Sequence, residues 1–263
     1  MARIADAFSA MQATGRPGLV AYVTAGDPDL DRTAEILAAL GANGADVLEV
    51  GVPFSDPLAD GPVIQRASER ALKSGTTLKK TLDMIRRHRA RIASPIVLFT
   101  YANPILRMGE AAFARAAGEA GIDGVLVLDL PVEEAGAFRQ RLVEAEMDPI
   151  FLLSPTTTDE RIRQSAELGR GFLYVISRLG VTGARERLGG DAEPLVRRIR
   201  AHSDLPLAIG FGISRPEHVA EVGRWADAAV VGSALVNVIA EHGASSDLVD
   251  RVGAYTRWLK GLS

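Results

Sequence analysis

The chain of 263 residues contains no cysteine, which excludes disulfide bonds, thiol nucleophiles and cysteine-ligated metal sites. Histidine is scarce as well, and no short spacing among the four residues predicts a zinc site: His88, His202, His218 and His242. No apolar run approaches the roughly 20 residues that a membrane-spanning helix needs. Redox chemistry on sulfur, histidine-bound zinc and a transmembrane role therefore have no support in the sequence.

An excess of charge of one sign is also missing. The 30 Lys and Arg residues nearly balance the 33 Asp and Glu residues, and the formal net charge is -3. Nucleic acids and anionic membranes both require a concentrated basic face, so neither is expected as a partner.

The first eighteen residues, MARIADAFSAMQATGRPG, lack the apolar core of a secretory signal. We therefore expect a cytoplasmic protein.

What the sequence does contain is a series of short apolar runs rich in β-formers, at intervals of roughly 20 to 50 residues. These runs predict strands at Leu19–Val23, Val47–Val50, Ile96–Phe99, Val125–Leu128, Pro149–Leu153, Phe172–Ile176, Leu205–Ile209 and Ala228–Val231. Helical patterns lie between them, for example Leu30–Leu40, Ala111–Ala120, Glu133–Glu146 and Glu193–Ala201. A helix after each strand favours parallel strands joined by right-handed crossovers.

Eight such units in a chain of this length predict an α/β fold of the (β/α)8 TIM barrel type. The alternative is a doubly wound open sheet, because local pattern does not show whether the sheet closes. The first predicted strand is followed by a turn, Thr24–Pro28, and by no glycine-rich dinucleotide loop, which disfavours the alternative. No linker or low-complexity tract interrupts the chain, so residues 1–263 are expected to form one domain.

Additional helices are predicted around this frame. The amphipathic segment Ile4–Ala13 precedes the first strand and is suited to close the N-terminal end of the barrel. The stretch Pro62–Arg91 after the second strand predicts two helices, separated at Ser74-Gly75-Thr76. We also expect an additional helix after the eighth strand.

Two acidic residues stand at the end of the second predicted strand and in the loop after it. Glu49 belongs to the run Asp46–Val50, and Asp60 lies at the far end of a loop stiffened by three prolines. General acid–base catalysis needs carboxyl groups that face each other across a pocket, which this pair could supply. The alternative is structural: Glu49 caps a backbone amide and Asp60 stabilises a turn. The residues alone leave both interpretations open.

The ends of the seventh and eighth strands carry glycine motifs, Gly210–Ser214 and Gly232–Leu235. TIM barrels often bind phosphate with these two loops, since glycine lets the backbone approach an anion closely. Each motif alone is also typical of a tight turn, whereas the two together favour a phosphate site. The glycine-rich loop after the sixth strand, from Ser177 to Arg185, predicts either a mobile lid or an ordinary surface connection.

Seven separated segments resemble the tryptophan synthase alpha subunit family, and the resemblance extends over nearly the full chain. They are TAGDP at 24–28, EVGVPFSDPLADGPVIQ at 49–65, YANPI at 101–105, DLPVEE at 129–134, SRLGVTG at 177–183, GFGIS at 210–214 and VVGSALV at 230–236. The segment at 49–65 and the VTG of the sixth loop are specific to the family. The glycine motifs are shared by many phosphate-binding barrels.

The resemblance implies retro-aldol cleavage of indole-3-glycerol phosphate to indole and glyceraldehyde 3-phosphate. The family's catalytic residues correspond to Glu49 and Asp60. Its substrate-binding residues correspond to Tyr22, Phe99, Tyr101, Leu126, Leu128, Tyr174 and Thr182, and its phosphate site to Gly183, Phe211, Gly212, Gly232 and Ser233. Tyr22 and Leu128 depart from the expected Phe and smaller residue, which changes the pocket's shape but removes no reacting group.

The resemblance also implies that this chain needs neither metal nor organic cofactor and that its partner is a beta subunit carrying pyridoxal phosphate, in an alpha2-beta2 tetramer. Two alternatives stay open at this stage. One is a stand-alone indole-3-glycerol-phosphate lyase that releases free indole. The other is a non-catalytic subunit that binds a phosphate ligand for allosteric control, which the intact Glu49 and Asp60 disfavour.

Overall fold

The structure is a computed structural model that describes residues 3–176, 192–210 and 212–262. Within these ranges, eight parallel strands pair in sequence order, and β1 also pairs with β8, so the sheet closes into a barrel. The strands are β1 Gly18–Thr24, β2 Val47–Gly51, β3 Ile96–Thr100, β4 Gly124–Val127, β5 Asp148–Leu153, β6 Leu173–Ile176, β7 Leu207–Gly210 and β8 Ala228–Val231. The predicted TIM barrel is confirmed, and the pairing of β1 with β8 excludes the open sheet.

Helices surround the barrel and connect its strands. Those in the described ranges are α1 Arg3–Thr14, α2 Leu30–Ala42, α3 Pro62–Lys73, α4 Leu78–His88, α5 Ala102–Met108, α6 Glu110–Ala120, α7 Gly136–Glu144, α8 Asp159–Leu168, α9 Ala192–Arg200, α10 Pro216–Val222, α11 Ser233–His242 and α12 Leu248–Lys260. The predicted additional helices before β1, after β2 and after β8 are present. None of the described helices is long and apolar enough to cross a membrane.

Side chains alternate between two apolar layers along each strand. Inward residues such as Val20, Val47 and Val97 share a cluster inside the barrel, whereas the intervening residues pack against the outer helices. Helix α1 inserts Ile4 and Phe8, both fully buried, into the inner cluster. The interior below the rim is therefore solid, and any open space lies toward the carboxyl ends of the strands.

Two elements, β7 and α7, begin later than the sequence predicts, and one helix, α5, was not predicted; each difference has an identifiable reason. Strand β7 begins after Pro206, which has no N–H to donate to the ladder. Helix α7 is shorter than predicted because residues 132–135 form turns, with the N–H of Glu134 donating to the carbonyl of Pro131. Helix α5 was not predicted, and its Pro104 lies in the first helical turn, where proline is tolerated.

Aspartate side chains form hydrogen bonds between neighbouring strands at the N-terminal end of the barrel. Asp123, before β4, accepts the N–H of Ile96 in β3 at 2.7 Å and pairs with Arg89 at 2.8 Å. Both charged side chains are mostly buried, with 10% and 15% of their surface exposed. Asp46 and Asp227 repeat the pattern, each accepting a strand N–H and pairing with a cation. These contacts hold the barrel's closed end independently of the opposite rim.

We predict that Asp123→Ala lowers the free energy of unfolding by about 2–4 kcal/mol, because the guanidinium of Arg89 and the N–H of Ile96 lose their shared acceptor. The matched control is Glu193→Ala, which breaks the exposed pair with Arg197 on α9 and should cost less than about 0.5 kcal/mol. Urea unfolding followed by circular dichroism measures both. Equal losses would show that the buried pair contributes no more than a surface pair.

Candidate active site

A cavity of about 190 Å³ opens at the carboxyl ends of the strands. Nine of the residues singled out from the sequence line it: Tyr22, Glu49, Asp60, Phe99, Leu128, Tyr174, Gly212, Gly232 and Ser233. The cavity therefore lies where TIM barrels place their active sites. Three further residues singled out from the sequence, Thr182, Gly183 and Phe211, lie outside the described residues, as does the loop from Ser177 to Arg185.

Glu49 lies in the middle of β2, directly beside Tyr22 of β1 in the strand register. Its side chain is 1% exposed, and neither carboxyl oxygen has a hydrogen-bond partner among the described residues. It therefore does not cap a backbone amide. Burial, reinforced by the negative charge of Asp60, raises the pKa of Glu49 from its ordinary value of 4.5 to about 8. At neutral pH this carboxyl group is mainly protonated and can donate a proton into the cavity.

Asp60 reaches the same cavity from the loop between β2 and α3. The N–H of Asp60 donates to the carbonyl of Pro57 at 3.0 Å, and its own carbonyl accepts the Gln65 amide at 2.9 Å. Burial raises the pKa of Asp60 from 3.8 to about 6, although the hydrogen bond from Tyr101 opposes this shift. Asp60 is thus mainly ionised at pH 7, when Glu49 is mainly neutral. Their environments separate the pKa values of the two carboxyl groups, as an acid–base pair requires.

Tyr101 connects the Asp60 loop to the barrel. It follows β3, and its hydroxyl accepts the N–H of Ala59 at 3.1 Å while donating to Oδ2 of Asp60 at 3.1 Å. Its ring packs against Phe54 with a centroid distance of 4.9 Å. Burial raises the pKa of Tyr101, so the hydroxyl keeps its proton and remains a donor. The family resemblance implies that Tyr101 binds substrate, which stays a prediction; the contacts show that its hydroxyl also orients the Asp60 carboxylate.

Two glycines make room for the inward tyrosines of the cavity. A Cβ atom at Gly51 would lie 2.1 Å from the Tyr22 hydroxyl, and one at Gly210 would lie 2.7 Å from the Tyr174 hydroxyl. The rings of Tyr22 and Phe99 form a T-shaped pair with centroids 5.3 Å apart, and the Tyr22 hydroxyl lies 3.2 Å from Oγ1 of Thr24. Burial raises the pKa of both tyrosines well above 10, so they are neutral. The result is an apolar, partly aromatic wall.

Leu126 occupies a different level of the barrel. It is fully buried in the inner cluster and is not among the lining residues, whereas Leu128 faces the cavity. The lining also includes apolar residues that were not singled out from the sequence: Ile64, Leu152, Ile213, Val230 and Ala234. Strand alternation beyond Ile150 would have indicated Leu152. Ile64 gave no such signal, because its contact with the cavity depends on how α3 packs against the barrel.

The glycine motifs after β7 and β8 meet at one side of this cavity. Gly232 precedes α11 and Ser233 is its first residue, so the N-terminus of a ten-residue helix, where backbone N–H groups have no partner within the helix, lines the cavity. Gly212 has a φ of +60°, in the left-handed region that favours glycine. This side of the cavity supplies partial positive charge, and none of its described lining residues carries a cationic side chain. Among the described residues, no cluster of three or more His, Asp or Glu side chains is arranged to hold a metal ion.

The geometry agrees with comparisons against known proteins. The family described as "Tryptophan synthase alpha chain" matches residues 8–260. The chain is 48% identical over 260 residues to the tryptophan synthase alpha chain of Solibacter usitatus, covering 99% of this chain and 97% of that one. It is also 48% identical to the Burkholderia thailandensis alpha chain, with 100% and 98% of the two chains covered.

Solved structures give the same result. A structure of Mycobacterium tuberculosis tryptophan synthase superposes with a TM-score of 0.91 at 37% identity, covering 99% of this chain and 97% of that chain. The tryptophan synthase subunit alpha of Legionella pneumophila gives a TM-score of 0.90 at 38% identity, with 99% and 98% covered. On sequence and structure together, the chain belongs to the tryptophan synthase alpha chain family.

Proposed function

We propose that this cavity cleaves indole-3-glycerol phosphate to indole and glyceraldehyde 3-phosphate, the lyase reaction of the family, with Glu49 as the general acid and base and Asp60 as its electrostatic partner. The observation that carries the assignment is the buried Glu49 carboxyl group, which lines the cavity, has no hydrogen-bond partner in the part of the chain that the structure describes, and has a pKa raised to about 8. A structural role would require that its oxygens be bonded within the fold.

The proton balance of the reaction fits one carboxyl group acting twice. Protonated Glu49 donates its proton to C3 of the indole ring, which becomes an indolium cation. The carboxylate left behind takes the proton of the adjacent side-chain hydroxyl. The O–H electrons form the aldehyde C=O bond, and the electrons of the broken C–C bond neutralise the indolium ring. Glu49 then holds a proton again, and the enzyme is ready for another turnover.

Asp60 is suited to stabilise the intermediate. Ionised at pH 7, it offers a carboxylate to the indole N–H, and its negative charge favours the positive charge that develops on the ring. Tyr101 and Gln65 fix the carboxylate and the backbone of Asp60, so little reorganisation is needed during the reaction. Holding Asp60 in place is therefore assigned to Tyr101.

Substrate binding is proposed to divide between two sides of the cavity. The flat indole ring would lie against the wall of Tyr22, Phe99, Leu128 and Tyr174, while Leu126 supports this wall from below. The phosphate would accept hydrogen bonds from backbone N–H groups of Gly212, Gly232 and Ser233. Family resemblance adds Thr182, Gly183 and Phe211 to these sets, and their roles stay predictions. No cofactor is required, because every proton is moved by Glu49.

We propose a beta subunit carrying pyridoxal phosphate as the partner, in an alpha2-beta2 tetramer. A rim that needs a partner is expected to expose apolar groups, and Leu58 in the Asp60 loop is 94% exposed while Leu106 on α5 is 63% exposed. Docking there would couple partner binding to the position of Asp60. A stand-alone lyase remains the alternative, and indole release measured with and without a beta subunit separates the two. The cytoplasmic location stays a prediction.

Glu49→Gln should abolish cleavage, because an amide fills the same space but does not move protons. We expect residual turnover below about a hundredth of wild type in an indole-release assay, with affinity for substrate changed less than about tenfold. Indole release is followed with and without a beta subunit. Retention of ordinary turnover in either condition would remove Glu49 from the chemical step.

The same substitution should stabilise the protein at alkaline pH. The pKa of Glu49 is about 8 in the folded chain and near 4.5 in the unfolded chain, so the unfolded state loses this proton first. The wild-type free energy of unfolding therefore falls as pH rises from 4.5 to 8. Glu49→Gln lacks this loss, and its melting temperature relative to wild type should be higher at pH 8.5 than at pH 5. A difference independent of pH would mean that the Glu49 pKa is ordinary.

The pH dependence of kcat/KM should be bell-shaped. Activity is expected to fall below about pH 6, where Asp60 becomes protonated, and above about pH 8, where Glu49 loses its proton. The Asp60→Asn variant should lose the acidic limb and keep the alkaline one. A profile that rises steadily through pH 8 would contradict the assignment of Glu49 as the acid.

Asp60→Asn should lower kcat by about 10²–10³, the typical cost of removing one preorganised electrostatic contact. Tyr101→Phe keeps the ring and removes only the hydroxyl that orients Asp60, so a loss of about tenfold is expected. Steady-state kinetics of Asp60→Asn, Tyr101→Phe and the double variant measure these losses of kcat. If Tyr101→Phe also reduced the activity of Asp60→Asn tenfold, the hydroxyl would act on something other than Asp60.

A further inference from the structure

Ser214, two residues after Gly212 in the loop between β7 and α10, has both of its backbone polar groups bound by side chains. Its N–H donates to Nδ1 of His218 at 3.3 Å, and its carbonyl accepts the hydroxyl of Tyr255 at 2.8 Å. His218 lies on α10 and Tyr255 on α12, so two different helices hold one peptide segment. Regular secondary structure would have satisfied these groups without side chains, which makes the arrangement a specific feature of this loop.

The two side chains are themselves fixed. His218 is 5% exposed, and the ring of Tyr255 packs against that of Trp258 with a centroid distance of 5.4 Å. Burial raises the pKa of Tyr255 to about 12, so its hydroxyl is a permanent donor at neutral pH. A rigid donor and a rigid acceptor on opposite sides of Ser214 leave its peptide planes little freedom to rotate.

Helix α12 also contacts both halves of the proposed phosphate site. It packs against α10, which follows the Gly212 loop, and against α11, whose N-terminus carries Gly232 and Ser233. Tyr255 therefore lies on the helix that packs against α11, and its hydroxyl bonds to the loop that contains Gly212. Because α12 packs against both, it is placed to set their relative position.

We propose that His218 and Tyr255 are positioning residues for phosphate binding. By holding Ser214, they fix the position of the Gly212 backbone relative to the N-terminus of α11. Neither side chain lines the cavity, so both act through the loop. The inference rests on the proposed function, since it gives these residues a task in binding the substrate phosphate. It predicts an effect on phosphate affinity that is separate from effects on the ring wall and on the Glu49 chemistry.

The experiment compares four variants of the full chain. Tyr255→Phe removes the donor to the Ser214 carbonyl, and His218→Leu removes the acceptor of the Ser214 N–H. His218→Asn keeps an oxygen where Nδ1 lies and is the conservative variant. Arg251→Ala is the control on the same helix, because it removes an exposed ion pair with Asp247 and leaves both the Tyr255 hydroxyl and its ring contact in place. Inorganic phosphate and indole serve as separate competitive probes of the two sides of the cavity.

Tyr255→Phe and His218→Leu should each raise the inhibition constant of inorganic phosphate and the KM for substrate roughly three- to tenfold, the effect of losing one ordinary hydrogen bond. Their kcat and the inhibition constant of indole should stay within about twofold of wild type. His218→Asn and Arg251→Ala should bind phosphate as wild type does.

Unchanged phosphate inhibition in both Tyr255→Phe and His218→Leu would overturn the proposal, as would parallel losses for phosphate and indole. A His218→Asn variant as weak as His218→Leu would also contradict it. The proposed function fails separately: a wild-type chain that does not cleave indole-3-glycerol phosphate refutes the function, whatever the variants do. If wild type cleaves the substrate and the variants bind phosphate normally, only the positioning role is wrong.

Discussion

The buried carboxyl group of Glu49 is the constraint on which the site depends. Within residues 3–176, 192–210 and 212–262 its oxygens have no hydrogen-bond partner, and an ionised carboxylate at this depth would be strongly disfavoured, so the group keeps its proton at neutral pH. Burying this carboxyl group lowers the stability of the folded protein, because an apolar side chain at the same position would have no polar group to remove from water. In return, the barrel presents a neutral acid to the cavity beside an ionised carboxylate. Asp60 strengthens the effect, because its negative charge also raises the pKa of Glu49.

In this barrel, the ion pairs of the strand-bridging aspartates lie at the N-terminal ends of the strands, and the proposed catalytic residues lie toward the carboxyl ends. Buried ion pairs such as Asp123 with Arg89 and the inserted helix α1 hold the N-terminal end. The opposite end is free to hold groups that do not add to stability, including Glu49, which has no hydrogen-bond partner among the described residues. Parallel strands bring their carboxyl ends to one rim, so residues distant in sequence share a single cavity. Two tyrosines then bond to the loops at that rim: Tyr101, directly after β3, and Tyr255, on the outer helix α12.

The sequence predicts much of this, for physical reasons that differ between residues. Strand positions follow from the apolar runs, whereas the residues alone left open whether Glu49 faces a pocket or caps a backbone amide. Closure of the barrel required the register of β1 with β8, which no local pattern contains. The hydrogen bond from Tyr101 to Asp60 was beyond prediction, because it joins residues 41 positions apart in sequence. The same is true of Tyr255 and Ser214, whose contact also spans 41 residues.

The most direct test of the account is the protonation state of Glu49 itself. Infrared difference spectra between wild type and Glu49→Gln isolate the C=O band of this one carboxyl group, and its intensity can be followed as a function of pH. The account predicts a protonated carboxylic acid at pH 7 that titrates with a midpoint near 8. A carboxylate signal at pH 7, with a midpoint near the ordinary value of 4.5, would contradict it.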